Sequence, residues 1–176
     1  GGHTQILVAE DVGVYKRLGG TIDDALGECF DKAAKLMGLP HPGGPHVEKA
    51  AMNCKNKETA LERFLLPSPM KGRAGCDFSF SGLKTAVRQH IEKLPEGALD
   101  YADVCDLCCA FQETVADILK DRLSHAIALF QKTYKTKSPA LVVSGGVASN
   151  LRVRETLQTL ASTASMEFVA PPVKLC

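Results

Sequence analysis

LVVSGGVASN (residues 141–150) carries a buried-type strand straight into a glycine pair and then into a helix. Glycine has no Cβ, so at Gly145-Gly146 the backbone can approach a ligand closely while the unpaired N–H groups of the helix start face it. This is the geometry of a nucleotide site in an α/β protein, with a strand at 140–143 and a helix at 150–161. Ser149 or Asn150 is placed to cap that helix. Arg152 and Arg154 fall in its first turns, where the macrodipole disfavours cations unless an anion or solvent lies nearby. An ordinary strand–turn–helix junction with a capping Asn fits the same spacing.

Working outward, residues 166–169 read as a last strand that stops at Pro171-Pro172. Upstream, a helical segment is expected from residue 101 to about 134, with Val104, Leu107, Cys108, Phe111, Val115, Ile118, Leu119, Leu123, Ile127 and Phe130 at helical spacing. Residues 4–9 and 14–18 read as a hairpin with Gly13 in the turn. A helix follows from Thr21, with Thr21 as N-cap, Asp24 completing a capping box, an apolar stripe of Leu26, Phe30, Ala33 and Met37, and Gly38 as terminator. HPGGP (residues 41–45) is read as a rigid connection, with Pro45 starting a helix that runs through Met52. The polar stretch 53–75 is read as a surface excursion, and a further helix is expected over 83–94.

The composition places the chain among ordinary globular domains: 176 residues, 45% apolar and 23% charged. No apolar run approaches the roughly 18 residues of a spanning helix, and the first residues lack the pattern of a signal peptide. With 21 basic and 20 acidic side chains the net charge is +1, so any contact with RNA must be a local patch. Seven irregularly spaced cysteines in a chain this long point to a reducing interior.

Other segments carry candidate chemistry. Gly1-Gly2-His3-Thr4 stands before the hairpin, where exposed peptide N–H groups form a nest for phosphate oxygens and Thr4 adds a hydroxyl. Asp24, Glu28 and Asp31 share one helix face and suit a ribose or a metal-bound water, but Lys32 and Lys35, four residues after Glu28 and Asp31, favour a solvated face of ion pairs. The stiff HPGGP loop followed by Glu48 suits recognition of a sugar or base, or is only a connection. In DFSFSG (residues 77–82), Phe78 and Phe80 are assigned to the core, with Ser79 and Ser81 as their polar companions. Cys105, Cys108 and Cys109 lie in the apolar stripe and are read as small buried side chains; no second C-x-x-C or His pair completes a zinc set.

Taken in order, GGHTQ, TIDDALGECFDKAAKLMGLPHPGGP, DFSFSGLKTAV, FQETVADIL, SGGVASN and PPVKLC cover nearly the whole chain. Together they resemble the TsaD/Gcp/YgjD family of tRNA adenosine threonylcarbamoyltransferases, once labelled O-sialoglycoprotein endopeptidases. The resemblance implies an α/β, ribonuclease-H-like domain of the actin-like ATPase (ASKHA) superfamily, with a helical insertion. It implies that residues 1–176 are a single domain, the nucleotide-binding second half of a two-domain protein whose N-terminal domain and C-terminal end lie outside this sequence. The implied activity transfers the threonylcarbamoyl group from threonylcarbamoyl-adenylate to the amino group of the adenosine beside the tRNA anticodon.

Carried onto this sequence, the resemblance makes Gly1 and Gly2 the phosphate or acyl-adenylate loop. It places Asp31, Gly44 and Glu48 at the ribose and adenine, and Gly145, Gly146 and Asn150 over the nucleotide. The implied cofactor is an adenine nucleotide, threonylcarbamoyl-AMP or ATP. The family's divalent metal, iron or zinc, is held by a His pair and an Asp that this sequence does not contain, so it is implied for the intact protein only and the isolated chain is expected to be inactive. The family's Pro-Arg-Pro-Met is Pro67-Ser68-Pro69-Met70 here, without the basic residue. Implied partners are tRNA, accessory tRNA-modification proteins and a homodimer, with no membrane. The implied compartment is the cytoplasm, or a mitochondrial or plastid matrix. Two other readings stay open: a metal-dependent glycoprotein endopeptidase, and a non-catalytic nucleotide-binding module of the same fold.

Overall fold

β-rich runs at the start of the chain pair as the expected antiparallel hairpin of β1 (Gln5–Asp11) and β2 (Val14–Gly20). The computed structural model describes residues 2–172; Gly1 and the last four residues of the PPVKLC motif lie outside the described residues. Gly13 turns the hairpin at φ +78°, a left-handed conformation that costs glycine little. β2 continues past Leu18 because Gly20 is held on both sides of its peptide. Its N–H donates to Asp77 Oδ1 at 3.0 Å, and its carbonyl accepts from Phe78 N–H at 3.0 Å. A Cβ on Gly19 would stand 2.3 Å from the Cys76 carbonyl oxygen, so this approach requires glycine.

The first helix, α1 (Leu26–Leu36), starts later than Thr21 and is not closed by a capping box. Thr4, 22 residues upstream, accepts from Leu26 N–H through Oγ1 at 2.8 Å, while Thr21 Oγ1 donates to the Asp24 carbonyl at 2.7 Å. A cap from the preceding segment thus replaces the local one. The next helix, α2 (Gly43–Ala51), begins at Gly43 rather than Pro45, so HPGGP is not purely a connection. First-turn N–H groups have no intrahelical partner, and glycine and proline are tolerated there. The expected excursion over 53–75 also holds a helix, α3 (Lys57–Arg63), capped by Asn56 accepting from Thr59 N–H at 3.0 Å. Ala60, Phe64 and Leu66 of that stretch are buried. α4 (Ser81–Ile91) begins at Ser81, before the expected Leu83.

α5 (Tyr101–Thr133) is the long helix that periodicity announced, and α2, α3 and α6 pack along it. Its stripe of Val104, Leu107, Cys108, Phe111, Val115 and Ile118 is buried. Phe111 meets Phe30 of α1 edge to face at 5.1 Å, a pair worth about 0.5–1.5 kcal/mol beyond area burial. Phe78 and Phe80 are buried and stacked at 5.6 Å, as assigned. Arg122 is fully buried on the same helix, donating to the carbonyls of Arg73 at 2.9 Å and Gly75 at 3.2 Å, and paired with Asp121. It fastens the 72–75 loop to α5.

After α5 the chain forms β3 (Ala140–Val142), a short 3₁₀ turn (Gly146–Ser149), α6 (Leu151–Thr163) and β4 (Glu167–Val169). β3 and β4 are parallel, with Leu141 opposite Phe168, and a parallel pair requires the intervening helix as its crossover. β3 is not the buried strand its composition suggested: Val142 is 67% exposed. The strand lines a cleft that β1 lines too.

Candidate functional site

That cleft, of about 1850 Å³, is lined by residues of β1, α1, α2, the C-terminal half of α5, β3 and the β3–α6 junction. It gathers Gly2, Asp31, Gly44, Glu48, Gly145, Gly146 and Asn150, so the expected site residues within the described segment share one wall-to-wall space. Gly1 lies outside the described residues. A Cβ added at Gly2, Gly44, Gly145 or Gly146 would meet nothing within 4 Å. The backbone there is open to a ligand, and Gly145 at φ +100° is confined to glycine on conformational grounds as well. Gly43 does a different job: its Cβ would sit 2.6 Å from Ala34 Cβ, so it lets α1 and α2 touch.

On the cleft wall, Asp31, Glu48 and Asn150 each also hold a helix end. Asp31 on α1 accepts through Oδ1 from Gly43 N–H at 2.7 Å, capping α2, with His41 Nδ1 at 3.7 Å. Glu48 on α2 accepts through Oε1 from Leu151 N–H at 2.6 Å, at the start of α6. Asn150 is the N-cap of α6, its Oδ1 accepting from Val153 N–H at 2.9 Å. α1, α2 and α6 are therefore linked through two carboxylates that face positive helix ends, the arrangement the macrodipole favours. Of the expected carboxylate trio, Asp24 precedes the helix, and Lys32 bridges Asp24 at 2.8 Å and Glu28 at 2.7 Å. Glu28 and Asp31 both line the cleft, Glu28 with its carboxylate paired to Lys32.

The two arginines of α6 have partners that offset the unfavourable dipole. Arg152 makes a two-pronged contact with Glu113 of α5 at 2.7 and 3.0 Å, and Lys57 reaches the same carboxylate at 2.6 Å. Burial pushes the Glu113 carboxyl up, but the hydrogen bonds and charges of Arg152 and Lys57 outweigh it and hold the group below its ordinary value. Arg154 donates to the carbonyls of Ala148 and Pro171, tying the 3₁₀ turn to the segment after β4. Ahead of α1, Asp23 accepts from Ser79 Oγ at 2.5 Å, Phe80 N–H at 2.7 Å and Ser81 Oγ at 2.9 Å. Slight burial acts to raise its pKa, and these bonds carry it below the usual range. Ser79 and Ser81 are thus committed to this cap on α4.

Sequence reasoning missed Gln112. It is buried in the apolar stripe of α5 and accepts through Oε1 from Asn150 Nδ2 at 2.8 Å. The signal was present as a lone amide in a stripe of apolar side chains. Cys105, Cys108 and Cys109 are buried thiols, as read, and desolvation raises the pKa of each. Among the described residues, no group of three His, Cys, Asp or Glu side chains is arranged to hold a metal ion. No helix among them is long and apolar enough to cross a membrane.

Fold and site together define a mixed α/β protein with glycine-rich turns and helix N-termini opening on one cleft. Comparison with known proteins sharpens this class. The sequence model of the family described as TsaD, tRNA N6-adenosine threonylcarbamoyltransferase, matches residues 1–176, and the chain belongs to that family. Proteins named tRNA N6-adenosine threonylcarbamoyltransferase are similar to it over its whole length: that of Rhodospirillum rubrum is 54% identical over 176 residues, that of Brucella anthropi 51% over 177, and that of Agrobacterium fabrum 52% over 178. The chain spans 47% of the length of each of these curated relatives.

Proposed function

We propose that the cleft holds the adenylate part of threonylcarbamoyl-adenylate, or ATP, and that the whole protein transfers the threonylcarbamoyl group to the N6 amino group of the adenosine beside the tRNA anticodon. The observation that carries the reading is that Gly2, Gly145 and Gly146, far apart in the chain, line one cleft. Peptide N–H groups of such turns suit phosphate oxygens. Asp31 and Glu48 each spend one carboxylate oxygen on a helix end; the second oxygen is the acceptor for a ribose hydroxyl. Gly44 leaves space for the nucleoside against α2.

In the transfer the adenosine nitrogen attacks the carbamoyl carbon, a C–N bond forms, the C–O bond to phosphate breaks, and AMP leaves with the electron pair as the nitrogen loses its proton. This chain's residues bind and orient the leaving AMP, which is positioning rather than proton chemistry. Among the described residues no group of three His, Cys, Asp or Glu side chains is arranged to hold a metal ion. The hairpin followed by helices and a parallel β3–α6–β4 unit supports reading the chain as a ribonuclease-H-like domain of the actin-like ATPase superfamily, one nucleotide-binding domain of a two-domain protein. tRNA and accessory tRNA-modification proteins are the partners this function calls for.

Calorimetric titration of the natural full chain with ATP tests the reading. Wild type binds with a measurable heat, and Gly146→Val, whose added side chain meets no protein atom at Cβ but fills the cleft, weakens binding about tenfold or more. Absence of binding by wild type, or unchanged binding by the variant, would count against it.

A further inference from the structure

In the FQETVADIL segment (residues 111–119) Leu119 lines the cleft, while Gln112 sets a buried amide against Asn150. We infer that Gln112 is a positioning residue for nucleotide binding: it fixes which face of the Asn150 amide is offered to the ligand. This rests on the nucleotide reading of the cleft.

The bonds leave a single arrangement. Val153 N–H is a donor, so the Asn150 atom 2.9 Å from it must be the oxygen. Asn150 Nδ2 is thereby turned to Gln112, and the atom of Gln112 that meets it at 2.8 Å must be the acceptor Oε1. Flipping both amides would set the Asn150 NH2 against the Val153 N–H, donor to donor. Asn150 and Gln112 are 5% and 9% exposed, so water is a poor substitute for either partner. An amide nitrogen carries two hydrogens. One is spent on Gln112, and the other is held in a fixed direction for an acceptor atom of the nucleotide in the cleft that Asn150 lines. Without Gln112, Asn150 keeps its helix cap, but its amide plane is free to swing about that bond. Glu113, the next residue on α5, serves the fold instead, through its pairs with Arg152 and Lys57.

Three substitutions in the natural full chain test the inference, with ATP as the probe in calorimetric titration and thermal unfolding measured alongside. Gln112→Met keeps the volume and removes the acceptor. Gln112→Asn keeps the amide but falls one methylene short. Gln112→Glu keeps an accepting oxygen at the same reach. Loss of one oriented hydrogen bond is expected to weaken ATP binding about tenfold in Gln112→Met and Gln112→Asn, with Gln112→Glu rescuing it to within about threefold of wild type. Glu113→Gln is expected to lower the unfolding midpoint while leaving the ATP affinity in place, so a purely structural effect is recognised by its own pattern. Should Gln112→Met fail to fold, the contrast between Gln112→Asn and Gln112→Glu decides. The inference is overturned if wild type binds ATP and Gln112→Met or Gln112→Asn binds it equally well, or if Gln112→Glu is as weak as the other two. Wild type that takes up no ATP overturns the nucleotide reading and the role of Gln112 together.

Discussion

Replacing Asn150 by alanine removes a helix cap and orphans a buried acceptor in one step. The cap is the bond from Val153 N–H to Oδ1 at 2.9 Å, and losing such a cap costs about 1 kcal/mol. The orphan is Gln112 Oε1, which loses its 2.8 Å partner in a buried setting, at a cost of about 1–3 kcal/mol. The single variant should therefore lose about 2–4 kcal/mol in urea unfolding. Adding Gln112→Met to Asn150→Ala removes the orphan as well, so the double variant should be more stable than the sum of the two single losses by about 1 kcal/mol or more. A loss below about 0.5 kcal/mol in Asn150→Ala, or strictly additive losses in the double variant, would refute the coupling drawn between α5 and α6.

Further expectations concern the packing around the site. Glu113 has a folded-state pKa below its ordinary value of 4.5, so its contribution to stability is fully present above that value and is lost as pH falls through the lowered one. Urea unfolding at a series of pH values below 4.5 should show this loss, and Glu113→Gln should flatten that part of the profile. Gly43→Ala brings a Cβ within 2.6 Å of Ala34 Cβ and 2.9 Å of the Phe30 carbonyl oxygen, and overpacking of this kind costs about 1–3 kcal/mol. Its neighbour Gly44→Ala, which meets nothing, should unfold at or above the wild-type midpoint, and differential scanning calorimetry separates the two.

Periodicity and local punctuation reveal the elements whose causes are local. The hairpin is legible from two β-rich runs around Gly13, α5 from its long apolar stripe, and the strand–turn–helix of residues 141–150 from its glycine pair. What the sequence conceals depends on partners distant along the chain. α1 is capped by Thr4 and α2 by Asp31, so neither start carries its own cap signal. α3 lies in a polar stretch because only one face, at Ala60, is buried. β3 reads as a core strand, but its open edge borders the cleft. For the site, spacing alone favours a solvated face for Asp31, and only the family resemblance gives it a ligand role. The structure turns it toward Gly43 and away from Lys32, which takes Asp24 and Glu28 instead. Gln112 is invisible to motif reading because its role is defined by what stands across from it on another helix.

If two glycine turns, one before β1 and one after β3, grip the same nucleotide, amide hydrogen exchange of the natural full chain, with and without saturating ATP, registers both contacts. ATP should slow exchange in both the segment around Gly2 and the segment around Gly145 and Gly146. Protection confined to one of them, or to neither, would contradict the shared site.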